Sequence, residues 1–190
     1  MAPTKIMVIR HAEKPPKTGS PQGVTKNGDT DAESLSVRGW QRAGALAVLF
    51  GRRGISADPR LSQPDLLFAS RIDVKDKSQR PQETLTPLSE LLSIEINDEH
   101  RKKQEANLVA DIMGRTGVVL VAWEHTLISE IATAILGGAA SVPQGWKNGS
   151  AEDRFDMVWV FAAPTGNKWV LEQVPQLLLA GDSSTPIPSA

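Results

Sequence analysis

The chain has 190 residues, 40% of them apolar and 23% charged. That is a globular mixture, long enough to bury a core and too apolar for a disordered chain. Twenty-one Lys and Arg against 22 Asp and Glu leave a net charge of −1, which removes the basic signature of a nucleic-acid partner. Cysteine is absent, which excludes thiol catalysis, thiolate metal sites and disulfides.

The amino-terminal residues lack a basic region followed by an apolar stretch of about 7–15 residues, and no apolar run nears the roughly 20 residues that cross a bilayer. A cytoplasmic protein with no membrane partner is the expectation. Ile6-Met7-Val8-Ile9 is a continuous apolar run ending at Arg10-His11, the pattern of a buried parallel strand. Residues 14–34 are rich in Pro and Gly and read as a long loop, of the kind that carries function. Ser36 is placed to cap a helix to about Phe50, with Trp40, Ala43, Ala47 and Phe50 on one face. Gly51 supplies its stop, and Arg52-Arg53 complement the helix dipole.

Leu66 to Ala69 reads as a second buried strand, followed by a polar stretch from Arg71 to Ser78 and a helix near Gln82 to Leu92. Ile94-Glu95-Ile96 reads as a short edge strand, and Asn97 or Asp98 as the cap of a helix through Met113. Val118 to Trp123 is wholly apolar and ends at Glu124-His125. A helix with Leu127, Ile128, Ile131 and Ile135 inward follows, closed by Gly137-Gly138. Met157 to Ala162 and Trp169 to Val174 flank Pro164-Thr165-Gly166-Asn167, a hairpin turn. The Ser- and Pro-rich end, 181–190, is expected to be a flexible tail. Alternating strands and helices predict one α/β domain over 1–180, a three-layer α/β/α sandwich with a mostly parallel sheet and a C-terminal antiparallel hairpin.

Dinucleotide-binding and phosphate-binding glycine loops, the Gly-x-Ser-x-Gly elbow and His-Glu-x-x-His are all missing, and the three histidines are far apart. What is present sits at strand ends. Ligands of open α/β sheets bind outside the carboxyl ends of parallel strands. If the strands ending at Arg10-His11 and Glu124-His125 are adjacent, two imidazoles and a guanidinium meet in one cleft. His125 also opens a helix, whose free N–H groups and dipole favour an anion. Arginine, helix end and a neutral imidazole together suit a phosphoryl group. His100 lies in a charged run, 98–103, and reads as a solvated helix residue.

In this order the motifs resemble the histidine phosphatase superfamily, its phosphoglycerate mutase-like branch. The Arg-His-Gly signature stands as Arg10-His11-Ala12, and Leu35 to Ala43 resembles the family's next helix opening, with Gln41 one place early. Ala69-Ser70 stands where the family has a Ser-Ser pair. Arg80 with Thr84 four residues on matches its second arginine, after about six extra residues, which leave Arg71 as a rival. Val121 to His125 supplies the second histidine. The likeness covers about residues 5–136. It implies that His11 is the nucleophile that becomes phosphohistidine, and that Arg10, Arg80 and His125 hold the phosphoryl group. It also implies that neither cofactor nor metal takes part. The general acid is left among Glu13, Glu95, Asp98, Glu99, Glu105 and Glu124.

The implied activity is that of a phosphoric monoester hydrolase acting on a small phosphorylated substrate, selected by the loop from Pro15 to Ser34. A phosphohistidine-protein phosphatase is a variant of this reading. The alternative of another class is a phosphate-binding or interaction module without turnover. Mutase activity fits less well, because the segment after His11 lacks the Ser/Thr-x-x-Asn continuation of that branch. The oligomeric state is not legible.

Overall fold

The computed structural model describes residues 2–51, 58–139, 142–163 and 168–188. Its elements are β1 (Lys5–Arg10), α1 (Val37–Phe50), β2 (Leu66–Ala69), α2 (Arg80–Leu92), β3 (Ile96–Asn97), α3 (Glu105–Met113), β4 (Val118–Trp123), α4 (His125–Leu136), β5 (Met157–Ala162) and β6 (Val170–Pro175). The six strands form one sheet in the order β3-β2-β4-β1-β5-β6. β3, β2, β4 and β1 run parallel, while β5 lies antiparallel to β1 and pairs antiparallel with β6. This is the mixed, mostly parallel α/β sheet with a closing antiparallel pair that the alternation predicts.

Side chains alternate across the sheet because a strand has a period of two. Ile6, Val8, Val119, Val121 and Trp123 face α3 and α4 in one core. Met7, Ile9, Leu120 and Ala122 face α1 and α2 in the other. Strands buried on both faces must be apolar throughout, which is why the runs at β1 and β4 contain no polar break before their ends.

Ser36 caps α1, its hydroxyl accepting a hydrogen bond from Gly39 N at 3.1 Å. Gly39 is required there: a Cβ would lie 2.4 Å from the Glu13 carbonyl oxygen, so α1 packs directly on the segment that follows β1. Ala12 packs with Leu35 and Ala43 and is not among the residues of positive φ, so it replaces glycine without strain.

Several boundaries differ from expectation. Residues 98–104 are not helical, and α3 begins at Glu105. Lys103 is left-handed (φ 70°) and Arg71 N donates to the His100 carbonyl, so this stretch turns against the loop after β2. The short edge strand lies at Ile96–Asn97, starting two residues and ending one residue later than the apolar pattern suggests, where it pairs with Leu67 and Phe68. Parts of the carboxy-terminal segment contact the rest of the domain. Asp182 pairs with Arg42 at 2.7 Å, Ser183 N donates to Asp156 and Ile187 is buried in the α3–α4 core. Arg52-Arg53 and the turn at 164–167 lie outside the described residues.

Candidate active site

The register brings three strand ends level: Arg10 pairs with Trp123 across β1 and β4, and Ala69 with Ala122 across β2 and β4. Arg10 closes β1, Ser70 follows β2, and His125 follows β4 by two residues. The chain holds this edge with short links. His11 N donates to the Trp123 carbonyl at 3.0 Å. Ala12 N donates to Thr84 Oγ1 at 2.8 Å, and that hydroxyl donates onward to the Arg80 carbonyl at 2.7 Å. One hydroxyl thus fastens the histidine segment to the first turn of α2, a physical reason for threonine four residues after Arg80.

His11 is buried, and its Nδ1 lies 2.7 Å from the Ala12 carbonyl oxygen. A carbonyl can only accept, so Nδ1 carries the proton and Nε2 the lone pair. Burial first, and the Arg10 guanidinium next, push the imidazole down to about 3; Arg80 and His125 act in the same sense, against the Ala12 hydrogen bond. The ring is neutral at any ordinary pH. The charges of all three partners named from the sequence therefore bear on this one ring.

Arg10 is 1% exposed. Its guanidinium carbon stands 3.8 Å over the centre of the Phe155 ring. One nitrogen, Nη1, donates to the carbonyls of Glu152 and Arg154. Burial pushes this guanidinium down to about 10, opposed by the carboxylates of Glu124, Asp153, Glu152 and Glu13. Arg80 is engaged by the loop: it donates to the carbonyls of Ala32 (2.5 Å) and Ser34 (3.3 Å) and lies 3.6 Å from Glu33. Arg71, the rival arginine, is exposed and donates to the Asp98 carbonyl at 3.3 Å.

Five buried side-chain atoms lack a hydrogen-bond partner among the described residues. Four of them are Arg10 Nε and Nη2, Ser70 Oγ and His125 Nδ1, on the three level strand ends. The His125 nitrogen does lie 2.8 Å from Glu124 Oε1, but the carboxylate is out of line with a ring N–H. Buried donors left open cost about 1–3 kcal/mol each. A cluster of them is a site shaped for an acceptor-rich guest.

The helix end itself is not part of that vacancy. Glu124 caps α4, its carboxylate accepting from Thr126 N at 3.2 Å and from the Thr126 hydroxyl at 2.5 Å. The N-terminal amide expected to attract an external anion is taken by the chain's own carboxylate. Burial pushes Glu124 up, but the adjoining His125 ring and the bonds from Thr126 outweigh it and hold the group at about 2.

The other carboxyl candidates are dispersed. Glu13 is clasped by Arg42, with Arg38 3.3 Å away. Glu105 accepts from Trp123 Nε1 at 2.9 Å, which also places Trp123 in the core rather than in the cleft. Glu95 and Glu99 are exposed beside β3. Asp98 accepts from Gln82 at 3.1 Å, and the same amide donates to the Ser70 carbonyl. His100 is not a helix residue: it precedes α3 and contacts Asp111 at 3.1 Å. Glu99, His100 and Asp111 put ligand atoms within 4.8 Å of one another, yet Arg115 already neutralises Asp111 at 2.8 Å.

Ser70, Phe155 and the carbonyls at 152 and 154 were not read from the sequence as site parts. Ser70 carried a signal, its place at a strand end; Phe155 carried none.

Among the described residues no helix is long and apolar enough to cross a membrane. No protein-family model and no curated protein sequence matches the chain. Solved structures do. A mycobacterial glucosyl-3-phosphoglycerate phosphatase matches at 17% identity over 89% of this chain and 97% of its own, with a TM-score of 0.54. The VO3 complex of that mycobacterial phosphatase matches at 16% identity over 89% and 97%, TM-score 0.52. A phosphoglycerate mutase from Plasmodium falciparum matches at 13% identity over 96% and 97%, TM-score 0.50. The chain shares the phosphoglycerate mutase-like α/β fold of these structures.

Proposed function

We propose that the chain hydrolyses a phosphate monoester through a phosphohistidine formed on His11, with no metal taking part. The observation that carries this reading is the set of open buried donors on Arg10, Ser70 and His125 beside a neutral imidazole. A phosphoryl group offers the oxygens those donors lack. In the transfer, His11 Nε2 attacks phosphorus in line with the ester oxygen; the P–O bond breaks as the N–P bond forms. Charge spread over the three equatorial oxygens is met by Arg10, Arg80 and His125. The leaving oxygen takes a proton. Water then attacks phosphorus, the N–P bond breaks, and inorganic phosphate and the neutral ring are restored.

Glu124 is ionised in the free protein and serves as helix cap and neighbour of His125, not as the proton source. Glu13 and Glu105 are committed to Arg42 and Trp123. Asp98, exposed and joined through Gln82 to the Ser70 carbonyl, is the carboxyl assigned to pass a proton from water to the leaving oxygen. The like-folded mycobacterial phosphatase is found in complex with VO3, which supports an oxyanion as ligand.

The test is phosphate release from an aryl phosphate at pH 5–8 with chelator present, in the wild type and in His11→Ala. Turnover that survives the chelator and is lost in the variant is the expected outcome. Equal turnover in both proteins refutes the nucleophile. Phosphate binding without turnover by the folded wild type returns the chain to a phosphate-binding module.

A further inference from the structure

A cleft of about 510 Å³ reaches Arg80 and has a charge pattern that phosphoryl transfer does not use. It is walled by the loop from Lys14 to Thr30 and closed on one side by Arg80. Among the described residues its ionisable lining is Lys14, Lys17 and Arg80, with no carboxylate. Thr18, Gln22 and Thr30 add neutral polar groups. In a chain of net charge −1, such a lining is a local excess of positive charge.

The lysines are not consumed by the fold. Lys14 stands 3.5 Å from Glu152, itself half-exposed, a contact of little energetic weight. Lys17 is exposed and has no hydrogen-bond or ion-pair partner among the described residues. Arg80 links the cleft to the proposed reaction centre, lining the one and acting on the His11 ring of the other, and Lys14 follows His11 by three residues. A volume of this size accommodates a group as large as a sugar or an aryl ring beyond the phosphorus.

We propose that this cleft is a second-anion subsite. The substrate is a phosphate ester with a further anionic group, held by Lys14 and Lys17 while the neutral polar residues meet the part between. This rests on the phosphatase reading of His11. Uncharged esters and esters with apolar tails are poor substrates on the same grounds, since they leave the lysines unmatched.

The experiment compares kcat/KM for phenyl phosphate and 4-carboxyphenyl phosphate, which differ by one carboxylate. A preference of about fivefold for the charged ester is expected at low ionic strength, the upper range for a partly exposed ion pair. It shrinks in high salt. In Lys14→Met/Lys17→Met the ratio falls toward one, and in Lys17→Glu it inverts. A bisphosphorylated probe, 1,4-phenylene bisphosphate, tells a second phosphate from a carboxylate by which ester is preferred more. A wild-type ratio of one, or a ratio unmoved by the variants, overturns the subsite. Calorimetric binding of phenylphosphonate and 4-phosphonobenzoate needs no turnover and separates the two readings. Preferential binding of 4-phosphonobenzoate that Lys17→Glu reverses, without ester hydrolysis, keeps the subsite and removes the phosphatase. Equal or absent binding of both phosphonates removes the subsite, whatever the esters do.

Discussion

The neutrality of His11 has a consequence for stability that can be measured without a substrate. In the unfolded chain the imidazole titrates near 6.5; in the folded protein burial and Arg10 push it down to about 3. Between those values the unfolded state binds the extra proton, so stability rises with pH across this window and is complete above it. At pH 5 the separation to the unfolded value is about 1.5 units, and at about 1.36 kcal/mol per unit the folded state loses roughly 2 kcal/mol relative to pH 7.5. His11→Asn keeps a polar side chain of similar reach and does not titrate. Urea unfolding in phosphate-free buffer at pH 7.5 and 5.0 gives the difference directly: the wild type should lose about 2 kcal/mol more than the variant. His100 and His125 are common to both proteins, and Glu124 and Asp182, held at about 2, respond only at lower pH. Equal losses would show that the folded ring takes up the proton freely, and the resting neutral nucleophile would have to be abandoned.

Two further substitutions separate stability from binding. Arg42 is 2% exposed and spans Glu13, Gln176 and Asp182, so Arg42→Met leaves the buried Asp182 side chain without its cation and Glu13 with only the half-exposed Arg38 and should cost about 3–5 kcal/mol in urea unfolding; a loss below about 1 kcal/mol would refute the clasp. Arg10→Met removes a buried cation whose only hydrogen bonds among the described residues are to carbonyls, so the variant should be at least as stable in phosphate-free buffer yet bind inorganic phosphate about tenfold or more weakly by calorimetry; unchanged phosphate affinity would sink the assignment.

The strands were legible because burial on both faces leaves a mark in composition. β2, β4 and β5 fall on the apolar runs residue for residue, and β1 extends its run by one polar residue at each end. The start of α3 was not legible. Residues 98–104 are polar enough to cap or populate a helix, and what prevents it is a tertiary bond from Arg71 N to the His100 carbonyl. The contacts of the chain end were illegible for a related reason. Ser and Pro mark it as a tail, but one charge, Asp182, finds the buried Arg42 guanidinium on α1, a partner 140 residues away.

The site divides along the same line. That Arg10, His11 and His125 share an edge follows from two apolar strands ending in polar residues, once those strands are neighbours and parallel. Which groups are free to bind there is a different kind of fact. The end of α4 looked open to an anion because every helix start has unpaired N–H groups, and it is closed because Glu124 turns its carboxylate back onto Thr126. Arg10 looked like one cation among several, but Phe155 and two carbonyls from the segment before β5 hold its plane, leaving two nitrogens open. Vacancy is a sum over every partner a donor could have reached, and those partners come from all along the chain. A motif can therefore place the cations of an anion site, while only the folded molecule shows which of their donors remain unspoken for. For this chain they lie on Arg10, Ser70 and His125, and the middle one belongs to a residue that no arginine or histidine pattern would select.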